Sequence, residues 1–182
     1  MIPGAITILI SHERVVFCMD LFILRHGKAA ESSGEADDAA RALTGDGKDE
    51  IKKVARWMKT KKYRFDVIAT SPLVRAHETA EIIARLLGQK DRLTIWDELS
   101  PGGDPETVCY HASQIGEEAT VLIIGHEPML SMLVSRIISG HDNASIILTK
   151  GGLAKIRNYS FKDRPSGDLQ WLISQKQMQD MR

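Results

Sequence analysis

Three short motifs bring together residue types that can do chemistry on a tetrahedral anion: Arg25-His26-Gly27, Ser71-Pro72-Leu73-Val74-Arg75 and Gly125-His126-Glu127-Pro128. A neutral imidazole is one of the few good side-chain nucleophiles at neutral pH. Attack by His26 on phosphorus would place a phosphoryl group on its own ring. Arginine charge nearby favours the neutral ring and keeps its lone pair available. The guanidinium forks of Arg25 and Arg75 match a phosphate's oxygens in geometry and charge. In the transition state negative charge spreads over the equatorial oxygens. Arg25, Arg75 and His126 are placed to hold that charge, and this chemistry requires no metal.

Each motif directly follows a short apolar run: Leu21 to Leu24, Asp66 to Thr70 and Thr120 to Ile124. Runs this short and this apolar predict buried strands. In an open α/β sheet, ligands bind outside the carboxyl ends of the strands, near a topological switch point. Parallel strands would therefore put all three motifs on one rim. Ser71-Pro72 and Pro128 also open helices, whose N-termini offer free N–H groups and a positive dipole end to an anion. Ser71 is expected to be an N-cap, and Glu127 to support the start of its helix.

The other elements follow from periodicity. Residues 28–43 have no period and are expected to be loop. Thr44 opens a helix with Ile51, Val54, Ala55 and Met58 on one apolar stripe and a basic, solvated face opposite. The helix after Ser71 carries Thr79, Ile82, Ile83, Leu86 and Leu87 inward and stops at Gly88. A short strand is expected at Leu93 to Trp96, a helix from Asp104 or Pro105 to about Ile115, and a helix from Pro128 to Gly140. Three late strands are expected at 145–149, 153–161 and 169–174, with turns at Gly151-Gly152 and 165–167. Strands alternating with helices predict an α/β fold, three αβα layers around a mainly parallel central sheet.

With 182 residues the chain suits one domain. Its 24 Lys plus Arg balance 24 Asp plus Glu, which weighs against a nucleic-acid partner. Cys18 and Cys109 make neither a disulfide framework nor a zinc ribbon, which suits a reducing, cytoplasmic setting. No apolar run is long enough to span a bilayer, so no membrane partner is expected. Residues 1–18 make a poor signal peptide and read as an extension before a domain of residues 19–182, with Met19 a natural start. The alternative is an extra edge strand at Ala5 to Ile10. His12, His77, His111 and His141 lack metal-ligand spacing.

Arg-His-Gly after the first strand, SPLVRAHETA in the middle and GHEP later resemble the histidine phosphatase superfamily, with its phosphoglycerate mutase-like fold. The resemblance runs from Met19 onward. The short chain is similar to the small SixA-type phosphohistidine phosphatases rather than to the longer mutases. It implies that His26 is the nucleophile and that Arg25, Arg75 and His126, with Gly27, bind the phosphate. Longer relatives use a glutamate to protonate the leaving oxygen, and the candidate here is Glu98. A phosphoramidate leaves easily once its own imidazole nitrogen is protonated, so the short chain favours phosphohistidine. Glu78 stands where relatives often have glutamine and receives no role. The implied activity is hydrolysis of phosphohistidine on a phosphocarrier or signalling protein, without a cofactor. The alternatives are a phosphomonoesterase for a small sugar or nucleotide phosphate, and a non-catalytic module that binds phosphate or a phosphoprotein.

Overall fold

The three apolar runs become β1 (Met19–Arg25), β2 (Val67–Thr70) and β4 (Thr120–Gly125). With β3 (Leu93–Ile95), β5 (Leu153–Phe161) and β6 (Pro165–Ile173) they build one sheet of order β3-β2-β4-β1-β5-β6. The structure, a computed structural model, describes residues 19–31 and 38–181. The N-terminal extension, its candidate edge strand, His12 and Cys18 lie outside those residues, as does part of the 28–43 loop. Strands β3, β2, β4 and β1 pair in parallel, whereas β5 runs antiparallel to both β1 and β6. The sheet is therefore mixed rather than purely parallel.

Burial on both faces explains the unbroken apolar runs. Leu21 and Ile23 of β1 pack in one core layer, and Phe22 and Leu24 in the other. The first layer is closed by α3 (Pro105–Ser113) and α4 (Met129–Ser139). The second is closed by α1 (Gly45–Thr60), α2 (Val74–Leu87) and α5 (Gln175–Asp180). This is the three-layer αβα architecture. In α1, Thr44 Oγ1 caps Gly47 N at 3.0 Å, and Ile51, Val54, Ala55 and Met58 are buried as their spacing requires. Helix α2 stops at Gly88, whose φ of 71° is left-handed backbone that favours glycine.

Residues 145–149 do not form a strand. Their carbonyls serve other partners: Leu148 O accepts from Arg25 at 2.9 Å, and Thr149 O from Gly152 N at 2.7 Å. The turn expected at 165–167 lies instead at 162–164. Pro165 opens β6, which is an edge strand, where a missing N–H disturbs no ladder. Helix α5 was not anticipated. It begins with a Ser174/Gln177 capping box, a local pattern that the sequence displays. Cys109 is a buried free thiol. Among the described residues no helix is long and apolar enough to cross a membrane.

Candidate active site

Sheet order sets the site. Strand β4 lies between β1 and β2, and the ends of all three are in register, Arg25 beside Gly125 and Thr70 beside Ile124. The ladder continues one residue further: His26 N donates to Gly125 O at 3.2 Å and Ser71 N to Ile124 O at 3.1 Å. The three motifs thus share one rim. They border a cavity of about 370 Å³ whose wall carries Arg25, His26, Arg75 and His126, together with Asp38, Arg41, Glu127 and Lys150.

His26 is buried at 7 % exposure. Its Nδ1 lies 2.7 Å from Gly27 O. A carbonyl can only accept, so Nδ1 carries the proton and the neutral ring has its lone pair on Nε2. Burial pushes the His26 pKa down to about 4. The bond to Gly27 opposes this, and the charges of Arg75, Arg25 and Lys150 add to the depression. The Gly27 N–H donates to Thr79 Oγ1 at 3.2 Å, while Thr79 donates to Arg75 O at 2.7 Å. Gly27 therefore positions His26 and does not line the cavity. A Cβ there would meet Ile51 Cγ1 at 2.7 Å, so this close approach of turn to helix requires glycine.

The His126 ring lies 4.9 Å from that of His26, centroid to centroid. Its Nε2 is 2.9 Å from Ser71 Oγ, while its buried Nδ1 has no partner among the described residues. Ser71 Oγ accepts from Leu73 N at 3.2 Å, which leaves its O–H free to donate to Nε2. Burial lowers the His126 pKa to about 3, with the neighbouring His26 and Arg75 charges adding to it. The helix N-cap is Leu73, not Ser71, whose side chain accepts from Leu73 N and meets His126. Val74 N, at the start of α2, is taken by Ala39 O at 3.2 Å, so this N–H is not free for an anion.

Arg75 is a buried residue, 3 % exposed. Its two terminal nitrogens donate to Asp38, to the backbone oxygen at 2.6 Å and to Oδ2 at 2.9 Å. Burial would raise the Asp38 pKa, but bonds from Arg41 and Arg75 outweigh it and hold the carboxyl below its usual range. Arg75 Nε and Arg25 Nε are both buried without a partner among the described residues. Each guanidinium is anchored and still has donors to spend.

The structure does not bring Glu98 to this cavity. Glu98 Oε1 pairs with His111 Nδ1, and His111 stacks on Trp96 at 3.9 Å between centroids. Its 3₁₀ turn (Asp97–Leu99) follows β3, the edge strand of the sheet. Glu78 acquires a role that its sequence context did not suggest. It accepts from Leu43 N and from Lys48 Nζ, both at 2.6 Å, tying α2 to the start of α1. Sequence reasoning also missed Asp38, Thr79 and Lys150. Asp38 and Lys150 sit in aperiodic segments, and Thr79 was counted only as part of an apolar stripe. Among the described residues no three His, Cys, Asp or Glu side chains gather as metal ligands.

The two depressed histidines predict a pH dependence of stability. Unfolded, each ring takes a proton near its model value of 6.5; folded, only near 4 and 3. Below 6.5 the unfolded chain therefore binds more protons, and stability falls as pH drops towards the folded values. The slope is on the order of 1.4 kcal/mol per histidine per pH unit. Urea unfolding at about pH 5 should show a clear loss relative to neutral pH, and His26→Ala should remove about half of it. An unchanged slope in that variant would contradict the assignment of the shift to His26.

Known proteins resemble this chain in sequence and fold. The sequence model of the histidine phosphatase superfamily (branch 1) matches residues 21–101, which include Arg25, His26 and Arg75. The phosphohistidine phosphatase SixA of Escherichia coli (strain K12) is 30% identical over 158 residues, 86% of this chain and 94% of that protein. A solved structure of the protein histidine phosphatase SixA, complexed with tungstate, superposes with a TM-score of 0.77 at 29% identity, covering 88% of this chain and 99% of that one. A phosphoserine phosphatase from Entamoeba histolytica shares the fold, with a TM-score of 0.65 at 17% identity over 87% of this chain and 98% of its own. From its motifs, its αβα sheet and these similarities, the chain belongs to the histidine phosphatase superfamily.

Proposed function

We propose that residues 19–182 form a cytoplasmic phosphohistidine phosphatase that carries the phosphoryl group on His26. One observation carries this reading: His26 has Nδ1 tied to Gly27 O, leaving a neutral Nε2 lone pair in a cavity walled by Arg25, Arg75 and His126. In the first step Nε2 bonds to phosphorus as the substrate's own P–N bond breaks. In the second, water displaces His26 from phosphorus. In both, Arg25, Arg75 and His126 face the charge on the equatorial oxygens. Because these groups supply the positive charge, turnover should persist in the presence of a chelator.

The cavity wall favours phosphohistidine over small esters. Among the described lining residues all but Ala29, Pro101 and the two histidines are charged, and the histidines are its only aromatic rings. A nucleotide base would find no apolar floor there. An imidazole on a protein segment is long enough to bring its phosphoryl group down to the buried His26. The similarity to SixA, named as a phosphohistidine phosphatase, points the same way.

The test is a substrate panel with acid-quench trapping. A phosphohistidine peptide should turn over at least ~10²-fold more efficiently, in kcat/KM, than sugar or nucleotide phosphates. An acid-labile phosphoenzyme should appear during turnover. Equal rates on the esters would move the assignment to a small phosphomonoesterase. No phosphoenzyme from any donor would leave a phosphate-binding module.

A further inference from the structure

Each half of this reaction moves a proton as well as a phosphoryl group. When the substrate's P–N bond breaks, the departing imidazole nitrogen keeps the electron pair and needs a proton. When water attacks phospho-His26, the water must lose one. The groups already described are committed elsewhere, His126 to the charge on the phosphoryl oxygens. His26 Nδ1–H is held by Gly27 O, and Nε2 carries the phosphoryl group. Arginines do not release protons. Asp38 is ionised between Arg75 and Arg41. Glu98 is engaged with His111 outside the cavity.

Glu127 differs from these carboxylates. It lines the cavity and follows His126 directly in the chain. Its Oε2 takes one long bond from Ser131 N, at 3.4 Å, and so braces the first turn of α4. That bracing uses only half of the carboxylate. Oε1 is buried and has no partner among the described residues. A buried oxygen left without a donor costs about 1–3 kcal/mol, so such groups are ordinarily met by a ligand or an ordered water. The residue sits between the end of β4 and the start of α4, elements that hold it firmly at the rim.

We infer that Glu127 is the proton-transfer residue of this site, an acid in the first half and a base in the second. The inference rests on His26 being the nucleophile. In the first half, the Nε2 lone pair of His26 forms the new bond to phosphorus while the substrate's P–N bond breaks, and the freed imidazole nitrogen takes the proton of the Glu127 carboxyl. In the second half, a water oxygen bonds to phosphorus, its proton passes to Glu127, and the bond to His26 breaks with its electrons returning to Nε2. One water is consumed, and both residues end as they began.

The test uses Glu127→Gln and Glu127→Ala in the full-length protein with a phosphohistidine peptide, followed by rapid acid quench. Glu127→Gln keeps the shape and an oxygen for Ser131 N, and should lower kcat by ~10²–10⁴. Glu127→Ala should be similarly slow and should regain turnover with added formate, which can carry the proton in place of the missing carboxyl. A bracing role alone would not respond to formate, and if Glu127→Gln does not fold, the alanine variant decides. A Gln variant within about threefold of wild type, or an Ala variant that formate leaves unchanged, overturns the inference. Absence of a trapped phosphoenzyme in the wild type would instead sink the His26 reading on which this rests.

Discussion

Replacing His26 by alanine is expected to abolish turnover while the circular dichroism spectrum stays that of the wild type. The nucleophile is the one group whose loss removes a covalent step, and deletions of this kind lower kcat by roughly 10⁴–10⁶. Neither arginine can take over, because a guanidinium has no lone pair to offer at neutral pH. His126 is also neutral, but its Nε2 is occupied by Ser71 Oγ at 2.9 Å. The fold should survive because the ring's main contacts are local, one bond to Gly27 O and the neighbouring His126 ring. The expected loss of stability at neutral pH is about 1–2 kcal/mol, for one buried hydrogen bond and a small cavity. Measurable turnover in a folded His26→Ala protein would end the assignment.

Arg75→Ala should cost ~10²–10³ in rate, the scale for removing one preorganised donor from developing charge. Five N–H donors belong to a guanidinium, and the two bonds to Asp38 leave others available, including the buried Nε. Arg75→Lys keeps the charge but loses the planar fork, so it should recover only part of the loss. The effect should fall on kcat, since the charge that Arg75 faces grows towards the transition state. A change confined to KM would reduce its role to ground-state binding. The structural penalty should be modest. Asp38 loses one of its two arginine partners and keeps Arg41, and its side chain is 39% exposed and can hydrate, so about 1 kcal/mol is expected after solvent screening.

Much of this site was legible locally. A strand buried on both faces must be apolar throughout, so the runs before His26, Ser71 and His126 announced themselves. The stripe of Ile51, Val54, Ala55 and Met58 and the stop at Gly88 placed α1 and α2 by the same kind of reasoning. The late part of the chain was less legible. The residues 145–149 have the composition of a strand, but Leu148 O is committed to Arg25, 123 residues away. Glu98 looked available because its sequence neighbourhood says nothing of His111, which takes its carboxylate. Ser71-Pro72 has the form of a helix start, and only the arrival of His126 from β4 shows where the hydroxyl is used.

Residue types and periodicity in the sequence determined most of the strands and helices before residue 140, which of their faces are buried, and that a histidine and two arginines follow strand ends. These are consequences of local geometry and solvent exclusion acting within a few residues. The tertiary structure decided which side chains meet. By inserting β4 between β1 and β2, it set His126 beside His26, gave Arg75 to Asp38, gave Ser71 to His126 and left one oxygen of Glu127 without a partner among the described residues. Pairings across 37 to 123 residues depend on strand order, and no local pattern encodes that order.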